Sequence, residues 1–89
     1  MLFSELNFGN MQGPDGTLWD VAEHVFSNGY GVSIIRGGTS IGGEDGLWEV
    51  NIIHGGRLMD DPTTVLEDWK VGRYTEEEVE TLMGQVESL

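Results

Sequence analysis

The glycine-rich segment from Arg36 to Gly46 contains the residue spacing of a nucleophile elbow. Gly38, Ser40 and Gly42 fit the G-x-S-x-G pattern, in which the serine hydroxyl attacks an acyl carbon. Such a serine needs a strand before it, a helix after it and a large sheet that also carries an acid and a histidine. A chain of 89 residues is too short for that sheet. The sequence therefore predicts that Ser40 is catalytically silent.

The same segment also has the G-x-x-x-x-G spacing of a phosphate-binding loop, from Gly37 to Gly42. In that loop the next two residues are a lysine, which neutralises phosphate, and a hydroxyl residue, which binds magnesium. Here they are Gly43 and Glu44, and Asp45 follows. Because carboxylates repel phosphate oxygens, we expect no nucleotide at this loop and no catalytic role for Glu44.

Paired carboxylates and two histidines raise the question of a metal site. The acidic pairs at positions 44–45 and 60–61 do not continue into the D-x-[DN]-x-[DN]-G pattern of a calcium loop. His24 and His54 lack the spacing of a helical zinc pair, and the absence of cysteine excludes thiolate ligands and a cysteine nucleophile. We therefore expect no metal, no cofactor and no enzymatic activity.

The charge balance excludes some partners. Sixteen acidic residues oppose four basic ones, which gives a formal charge of −12. This charge repels phosphate backbones and anionic membranes, so direct binding to nucleic acid or to a membrane is not expected. No apolar run reaches the roughly 20 residues that span a bilayer, and the N-terminal residues lack the basic and apolar parts of a signal peptide. We expect a soluble, cytoplasmic protein.

The spacing of apolar residues predicts a single α+β domain with two amphipathic helices. In residues 17–29 the apolar side chains recur at helical spacing, and Gly29 supplies a left-handed stop. Residues 75–89 predict the second helix, because Thr75 and Glu78 form a capping box before apolar residues at the same spacing.

Between these helices, residues 30–59 predict a small antiparallel sheet of about three strands. The strands are expected at Gly31 to Arg36, at Leu47 to His54 and at Arg57 to Met59, with Gly55 and Gly56 in a tight hairpin turn. Residues 1–16 predict an irregular arm or an edge strand, and residues 60–74 predict an acidic linker.

Two segments of the chain resemble a group of small tailed-bacteriophage proteins with no assigned activity. The group has an S-[YI]-G-G-x-x-G-L-[YW]-E-V segment, which Ser40 to Val50 match, and a terminal T-E-E-x-V helix, which Thr75 to Val79 match. Ile41 stands where the group more often has tyrosine. The resemblance implies that the glycines connect two antiparallel strands, and it implies a phage-encoded protein that acts in the cytoplasm of a host cell.

These observations favour a non-enzymatic acidic protein that binds, and could inhibit, a host protein with a basic surface. Mimicry of a nucleic-acid backbone is one form of such binding. If the linker packs against the C-terminal helix, its acidic residues and those of the helix form one negative patch with a tryptophan as apolar anchor. The candidate partner-binding residues are Asp60, Asp61, Glu67, Asp68, Trp69, Glu76, Glu77 and Glu80.

Two other functions stay open at this stage. The first is an oligomeric domain that sequesters a small molecule or nucleotide, with Arg36, Arg57 and Arg73 as the available anion anchors. The second is an acidic domain whose charge serves solubility alone and which has no specific binding role.

Overall fold

The structure, a computed structural model, describes residues 1–89. Five strands form one antiparallel sheet in chain order. They are β1 (Gly9–Gln12), β2 (Leu18–Val25), β3 (Tyr30–Arg36), β4 (Glu49–His54) and β5 (Arg57–Leu58). One α-helix, α1 (Glu76–Glu87), follows, and 3-10 turns lie at Phe3–Glu5, Gly43–Asp45 and Pro62–Thr64. The α+β class is confirmed, with five strands instead of three and one helix instead of two.

One face of the sheet packs against α1, and we call it the core face. Side chains alternate along a strand, so every second residue of β3 and β4 points to this face. The helix meets it with apolar residues at i, i+3, i+4 and i+7. The residues that form the centre of this core are Val32, Ile34, Val50, Ile52, Val79, Leu82, Met83 and Val86, all nearly or fully buried.

The segment predicted as a helix over residues 17–29 is instead the strand β2. Its residues pair with β1 on one side and β3 on the other, from Leu18 to Val25. Apolar residues occur on both faces of this strand: Ala22 is buried on the core face and Trp19 on the opposite face. A strand that is partly buried on both faces loses its simple alternation, and here the apolar residues mimic helical spacing.

The predicted stop at Gly29 is a hairpin turn between β2 and β3. Gly29 has a φ of 85°, and its N–H donates to the carbonyl of Phe26. A glycine in the left-handed backbone conformation can end a helix and can also form the turn of a hairpin. The local sequence pattern therefore does not distinguish a helix end from a hairpin turn.

The remaining predictions for the strands and the linker agree with the structure to within a few residues. Gly55 and Gly56 both have positive φ, at 61° and 79°, and form the turn between β4 and β5. Residues 1–16 contain the edge strand β1. The linker holds one 3-10 turn, Pro62–Thr64, and returns to the sheet through a bridge between Trp48 and Tyr74.

The N-terminal arm covers Trp48 at one end of the core. The ring centroids of Phe3 and Phe8 lie 5.3 Å and 4.8 Å from that of Trp48. The guanidinium of Arg36 lies 4.1 Å from the Trp48 ring centroid and also pairs with Asp20. Trp48, which is 4% exposed, is therefore a core residue.

The only α-helix of the chain has twelve residues. No helix here combines the length and the apolarity that crossing a membrane requires.

Candidate protein-binding surfaces

The glycine-rich loop is closed by its own hydrogen bonds. The Ser40 hydroxyl is buried, donates to the carbonyl oxygen of Gly37 at 2.9 Å and accepts from the N–H of Gly37 at the same distance. A Cβ on Gly43 would overlap the Gly37 carbonyl oxygen, so this turn requires glycine. Most of the backbone N–H groups that a phosphate could use in this loop already have partners inside the protein. Its backbone N–H groups with partners inside the protein are those of Gly37, Ser40, Ile41, Gly43, Asp45, Gly46 and Leu47.

Ser40 also lies far from a histidine base. It follows Arg36 at one end of β3, whereas His24 pairs with Val32 in the other half of that strand and His54 pairs with Tyr30 at its far end. Strand β3 has seven residues, so its ends are roughly 20 Å apart at the usual rise per residue. The geometry of a serine triad is not present around Ser40.

The acidic residues of α1 lie on two opposite flanks of the helix. The Glu80 carboxylate accepts from the N–H of Phe3 at 2.7 Å, and Glu87 lies 3.7 Å from the N-terminal amine. Glu78 instead faces the 60–74 segment, where its carboxylate lies 3.9 Å from the Lys70 amine. Residues two apart on a helix are separated by about 200°, so Glu80 cannot share the flank of Glu78.

The predicted patch is therefore divided by the helix. Asp68 is exposed and lines a groove together with Glu78, whereas Glu80 is half-buried beside the N-terminal arm. Glu67, which precedes Asp68, is also exposed. Asp61 has a local role, because its carboxylate accepts from the N–H of Thr63 at the start of a 3-10 turn. The remaining members, Asp60, Glu76 and Glu77, are exposed and make no side-chain hydrogen bond or ion pair.

Trp69 holds the linker to the sheet. Its indole N–H donates to the carbonyl oxygen of Val50 at 3.1 Å, and the half-buried ring packs against the core. The predicted apolar anchor thus has its polar atom and part of its ring already engaged inside the protein.

A groove of about 240 Å³ runs between the linker and α1 on the Glu78 flank. Its lining residues are Asp68, Lys70, Tyr74, Glu78, Thr81, Leu82 and Gln85. We call it the acidic groove. Of these residues, only Asp68 belongs to the patch predicted from the sequence. The sequence analysis did not select Glu78 as a binding residue. The capping box of Thr75 with Glu78 was the feature of the sequence that indicated a fixed position for the Glu78 side chain.

The acidic groove combines carboxylates with an aromatic ring. The backbone N–H of Thr75 donates to the Glu78 carboxylate at 3.0 Å, and this bond, with a smaller contribution from the Thr75 side chain, lowers the pKa of the Glu78 carboxyl below its usual value. The Thr75 hydroxyl in turn accepts from the backbone N–H of Glu78 at 3.1 Å. Burial raises the pKa of the Tyr74 phenol, whose oxygen accepts from the N–H of Lys70 at 3.1 Å. The Lys70 amine lies 5.1 Å from the centre of the Tyr74 ring. A cation therefore already occupies this site, and it belongs to the chain itself.

Three of the four basic residues have acidic partners. Arg36 pairs with Asp20 at 3.3 Å, Arg73 with Asp45 at 3.1 Å, and Lys70 with Glu78 at 3.9 Å. Arg57 has no acidic atom within ion-pair distance and makes no side-chain hydrogen bond. The three arginines considered as anion anchors do not share a groove, because Arg57 alone lines one.

A second groove of about 240 Å³ lies on the face of the sheet that α1 does not cover, which we call the outer face. Its lining residues are Glu23, Val25, Ile53, Gly56, Arg57 and Leu58. Sequence reasoning missed this groove, because it placed Glu23 and Val25 on a helix. The pairing of β2 with β3 and of β3 with β4 brings them near Ile53.

Compared with protein-family models, with curated proteins and with solved structures, the chain has no match. Its function is therefore inferred from the geometry and charge of its own residues.

Proposed function

We propose that this chain is a non-enzymatic interaction protein that binds a basic segment of another protein in the acidic groove. The observation that carries this proposal is the position of Lys70, whose amine lies 3.9 Å from the Glu78 carboxylate and 5.1 Å from the Tyr74 ring. A carboxylate beside an aromatic face is a favourable environment for an ammonium or guanidinium group. The groove thus has the chemistry of a cation site.

The surroundings of the groove support a cationic partner. All sixteen acidic side chains are exposed except Asp20, Glu49 and Glu80, which are half-buried. Because three of the four basic side chains are already paired, little positive charge is left to reduce the negative potential at the surface. Such a potential accelerates the approach of basic partners and weakens as salt screens it.

The bound segment would use both parts of the groove. The aliphatic stem of a lysine or arginine would lie against Leu82 and the Tyr74 ring, and its charged end would displace the Lys70 amine near Glu78. Asp68 on the opposite wall supplies a second carboxylate. A peptide with several basic residues therefore fits better than a single cation, because it engages more than one carboxylate.

The resemblance to tailed-bacteriophage proteins supports a more specific form of this proposal. In this form the chain is phage-encoded and its partner is a host protein with a basic surface. Binding would inhibit that protein where its basic surface also binds nucleic acid.

The proposal is tested by titrating the protein with a short arginine-rich peptide and following backbone amide resonances at low and high salt. We expect the largest shifts at residues 66–70 and 74–85, and a loss of binding at high salt. Asp68→Asn should weaken binding by about threefold, whereas Glu44→Gln should not, although each removes one negative charge. Equal effects of both substitutions, or shifts scattered over all acidic residues, would show that only net charge matters.

The identity of a host partner requires a separate experiment. The immobilised protein and its Asp68→Asn variant are incubated with a bacterial lysate, and captured proteins are identified by mass spectrometry. We expect a basic protein that the original chain retains and the variant releases at moderate salt. Retention of the same proteins by both chains would count against a host partner in the acidic groove.

A further inference from the structure

The turn between β2 and β3 contains the one Asn-Gly pair of the chain. The asparagines at positions 7, 10 and 51 are followed by phenylalanine, methionine and isoleucine, whereas Asn28 is followed by Gly29. An asparagine loses its side-chain amide when the backbone nitrogen of the next residue attacks the side-chain carbonyl carbon. A side chain on that next residue hinders the attack, and glycine has none. Asn28 is therefore the asparagine with the least hindered nucleophile beside it.

The folded protein restrains every group that takes part in this reaction. The amide nitrogen of Asn28, which is the leaving group, donates to three backbone carbonyl oxygens at the end of α1 at 3.0 to 3.2 Å. The side-chain oxygen of Asn28 accepts from the N–H of Tyr30 at 3.0 Å. The N–H of Gly29, which is the nucleophile, donates to the carbonyl oxygen of Phe26 at 3.0 Å. The turn must open before the new bond can form.

The restraint on the amide depends on the last turn of α1. The buried side chains of this helix end with Val86, and the residues after it are exposed. Opening of a helix end costs less free energy than unfolding of the whole protein. Gly84 lies in the same region, where its carbonyl oxygen accepts from the N–H of Ser88, and glycine weakens a helix. Asn28 is itself exposed, so water reaches it once the amide is released.

We propose that Asn28 is a site of spontaneous covalent modification and that release of the end of α1 controls its rate. The Gly29 nitrogen forms a bond to Cγ of Asn28, and the bond from Cγ to the amide nitrogen breaks. The amide nitrogen takes up the proton of the Gly29 nitrogen and leaves as ammonia. Water then opens the succinimide ring: attack at Cγ gives aspartate, and attack at the backbone carbonyl carbon gives isoaspartate. The sum is an amide and water converted to an acid and ammonia, without an oxidant or a reductant.

The product cannot restore the contact that it replaces. A carboxylate has no donor for the helix carbonyls, and its charge lies at the negative end of the helix dipole. Isoaspartate also lengthens the main chain of a turn that a hydrogen bond between Gly29 and Phe26 closes. Modification therefore keeps the end of α1 released from the hairpin. This inference does not depend on the function proposed for the acidic groove.

Peptide mapping by mass spectrometry tests the proposal. The chain is incubated for several weeks at mildly alkaline pH, folded in buffer or unfolded in urea, and aspartate and isoaspartate are measured at each asparagine. We expect both products at position 28 before positions 7, 10 and 51, and formation about tenfold faster in the unfolded chain, which lacks the restraints. Absence of the products from the folded chain, or equal rates in the folded and the unfolded chain, would overturn the proposal.

Two glycine substitutions test the role of the helix end. A Cβ at Gly84 meets nothing within 4 Å, so Gly84→Ala fits and stabilises the last turns of α1. We expect this variant to slow the modification of folded Asn28 by about threefold. Gly9→Ala, at a strand position with equally open space, should leave the rate unchanged. Circular dichroism confirms that both variants fold. Equal rates for the two variants would exclude control by the helix end.

The modified chain is then compared with the original chain. It carries one more negative charge, so anion exchange separates the two proteins. We expect faster hydrogen exchange in the modified chain at the N–H groups of Ser88 and Leu89, which donate to carbonyl oxygens of α1. Exchange rates that are the same in both proteins would show that the modification does not release the helix end.

Discussion

The side-chain amide of Asn28 donates to the backbone carbonyl oxygen of Val86 at 3.0 Å. The same amide reaches the carbonyl oxygens of Glu87 and Leu89 at 3.2 Å and 3.1 Å. These oxygens lie at and just beyond the C-terminal end of α1, where the helix runs out of its own donors. The Val86 carbonyl also accepts from the N–H of Leu89 at 3.2 Å. The carbonyl oxygen of the Asn28 side chain accepts from the N–H of Tyr30 at 3.0 Å. One residue of the hairpin between β2 and β3 thus fixes both its own turn and the end of the helix.

We expect Asn28→Ala to lower the free energy of unfolding by about 1 kcal/mol, because it leaves helix carbonyls without this donor. Asn28→Asp should be at least as destabilising: it keeps an acceptor for Tyr30 but places a carboxylate at the negative end of the helix dipole. Urea unfolding measures both variants. Ser27→Ala, an exposed neighbour without a side-chain hydrogen bond, serves as the control. An Asn28→Asp variant as stable as the original chain would show that the contact with the helix contributes nothing.

Elements defined by local chemistry were predictable from the sequence. The capping box of Thr75 with Glu78 is present with both of its hydrogen bonds, and α1 begins directly after Thr75. Gly55 and Gly56 turn the chain between β4 and β5. In both cases the hydrogen bonds or the backbone conformation depend only on residues that are close in the sequence, so no knowledge of the rest of the fold is needed.

Residues 17–29 were not predictable in this way, because their structure depends on distant partners. Val21 pairs with both Gly9 and Ile35, and Ala22 is buried by the core rather than by its neighbours. The turn residues before this segment were a usable indication of a hairpin. Gly16 has a φ of 81°, and the N–H of Gly13 donates to the carbonyl oxygen of Thr17.

The two candidate surfaces differ in the same respect. Glu67 and Asp68 could be selected because they are close in the sequence and acidic. The groove on the outer face joins Val25 to Leu58 through three strand pairings, and the mistaken helix removed Val25 from the sheet. A surface built by sheet pairing is visible only after the order and register of the strands are known.

Gly31 gives a second stability prediction. We expect Gly31→Ala to lower the free energy of unfolding by about 1–3 kcal/mol, since its Cβ would overlap the His24 carbonyl and force the strands apart. Gly9→Ala is the matched control, because a Cβ at that strand position meets nothing within 4 Å. Thermal or urea unfolding compares the two. Equal stabilities of the two variants would mean that β2 does not approach Gly31 as closely as described.

Asp15 gives a prediction for pH dependence. The Thr17 hydroxyl, the Thr17 N–H and the Trp19 indole N–H all donate to its carboxylate and lower its pKa below 3.8. A carboxyl group with a lower pKa in the folded state stabilises the protein above pH 3.8, and this contribution disappears as the pH falls through the folded value. We expect Asp15→Asn to be less stable than the original chain near neutral pH, with a difference that shrinks in acid.

The comparison requires a variant that removes one charge without removing hydrogen bonds. Glu44→Gln meets this condition, because the Glu44 carboxylate is exposed and makes none. Urea unfolding of the three proteins is measured from neutral pH down to about pH 2.5, below the usual pKa of an aspartate. A difference between Asp15→Asn and the original chain that stays constant over this range would contradict the role given to the hydrogen bonds of Asp15.

Lys70 gives the last prediction, which concerns the acidic groove. Its amine lies 3.9 Å from the Glu78 carboxylate and donates to the carbonyl oxygen of Arg73 at 3.2 Å, so a basic partner must compete with it. We expect Lys70→Met to tighten binding of the arginine-rich peptide by about fivefold at low salt, because the substitution removes that competitor and keeps the aliphatic stem. Arg57→Met removes one positive charge elsewhere and should tighten binding much less. Fluorescence titrations measure the affinity of each protein for the peptide. If both substitutions strengthened binding equally, the effect would come from net charge, and Lys70 would not occupy the binding site.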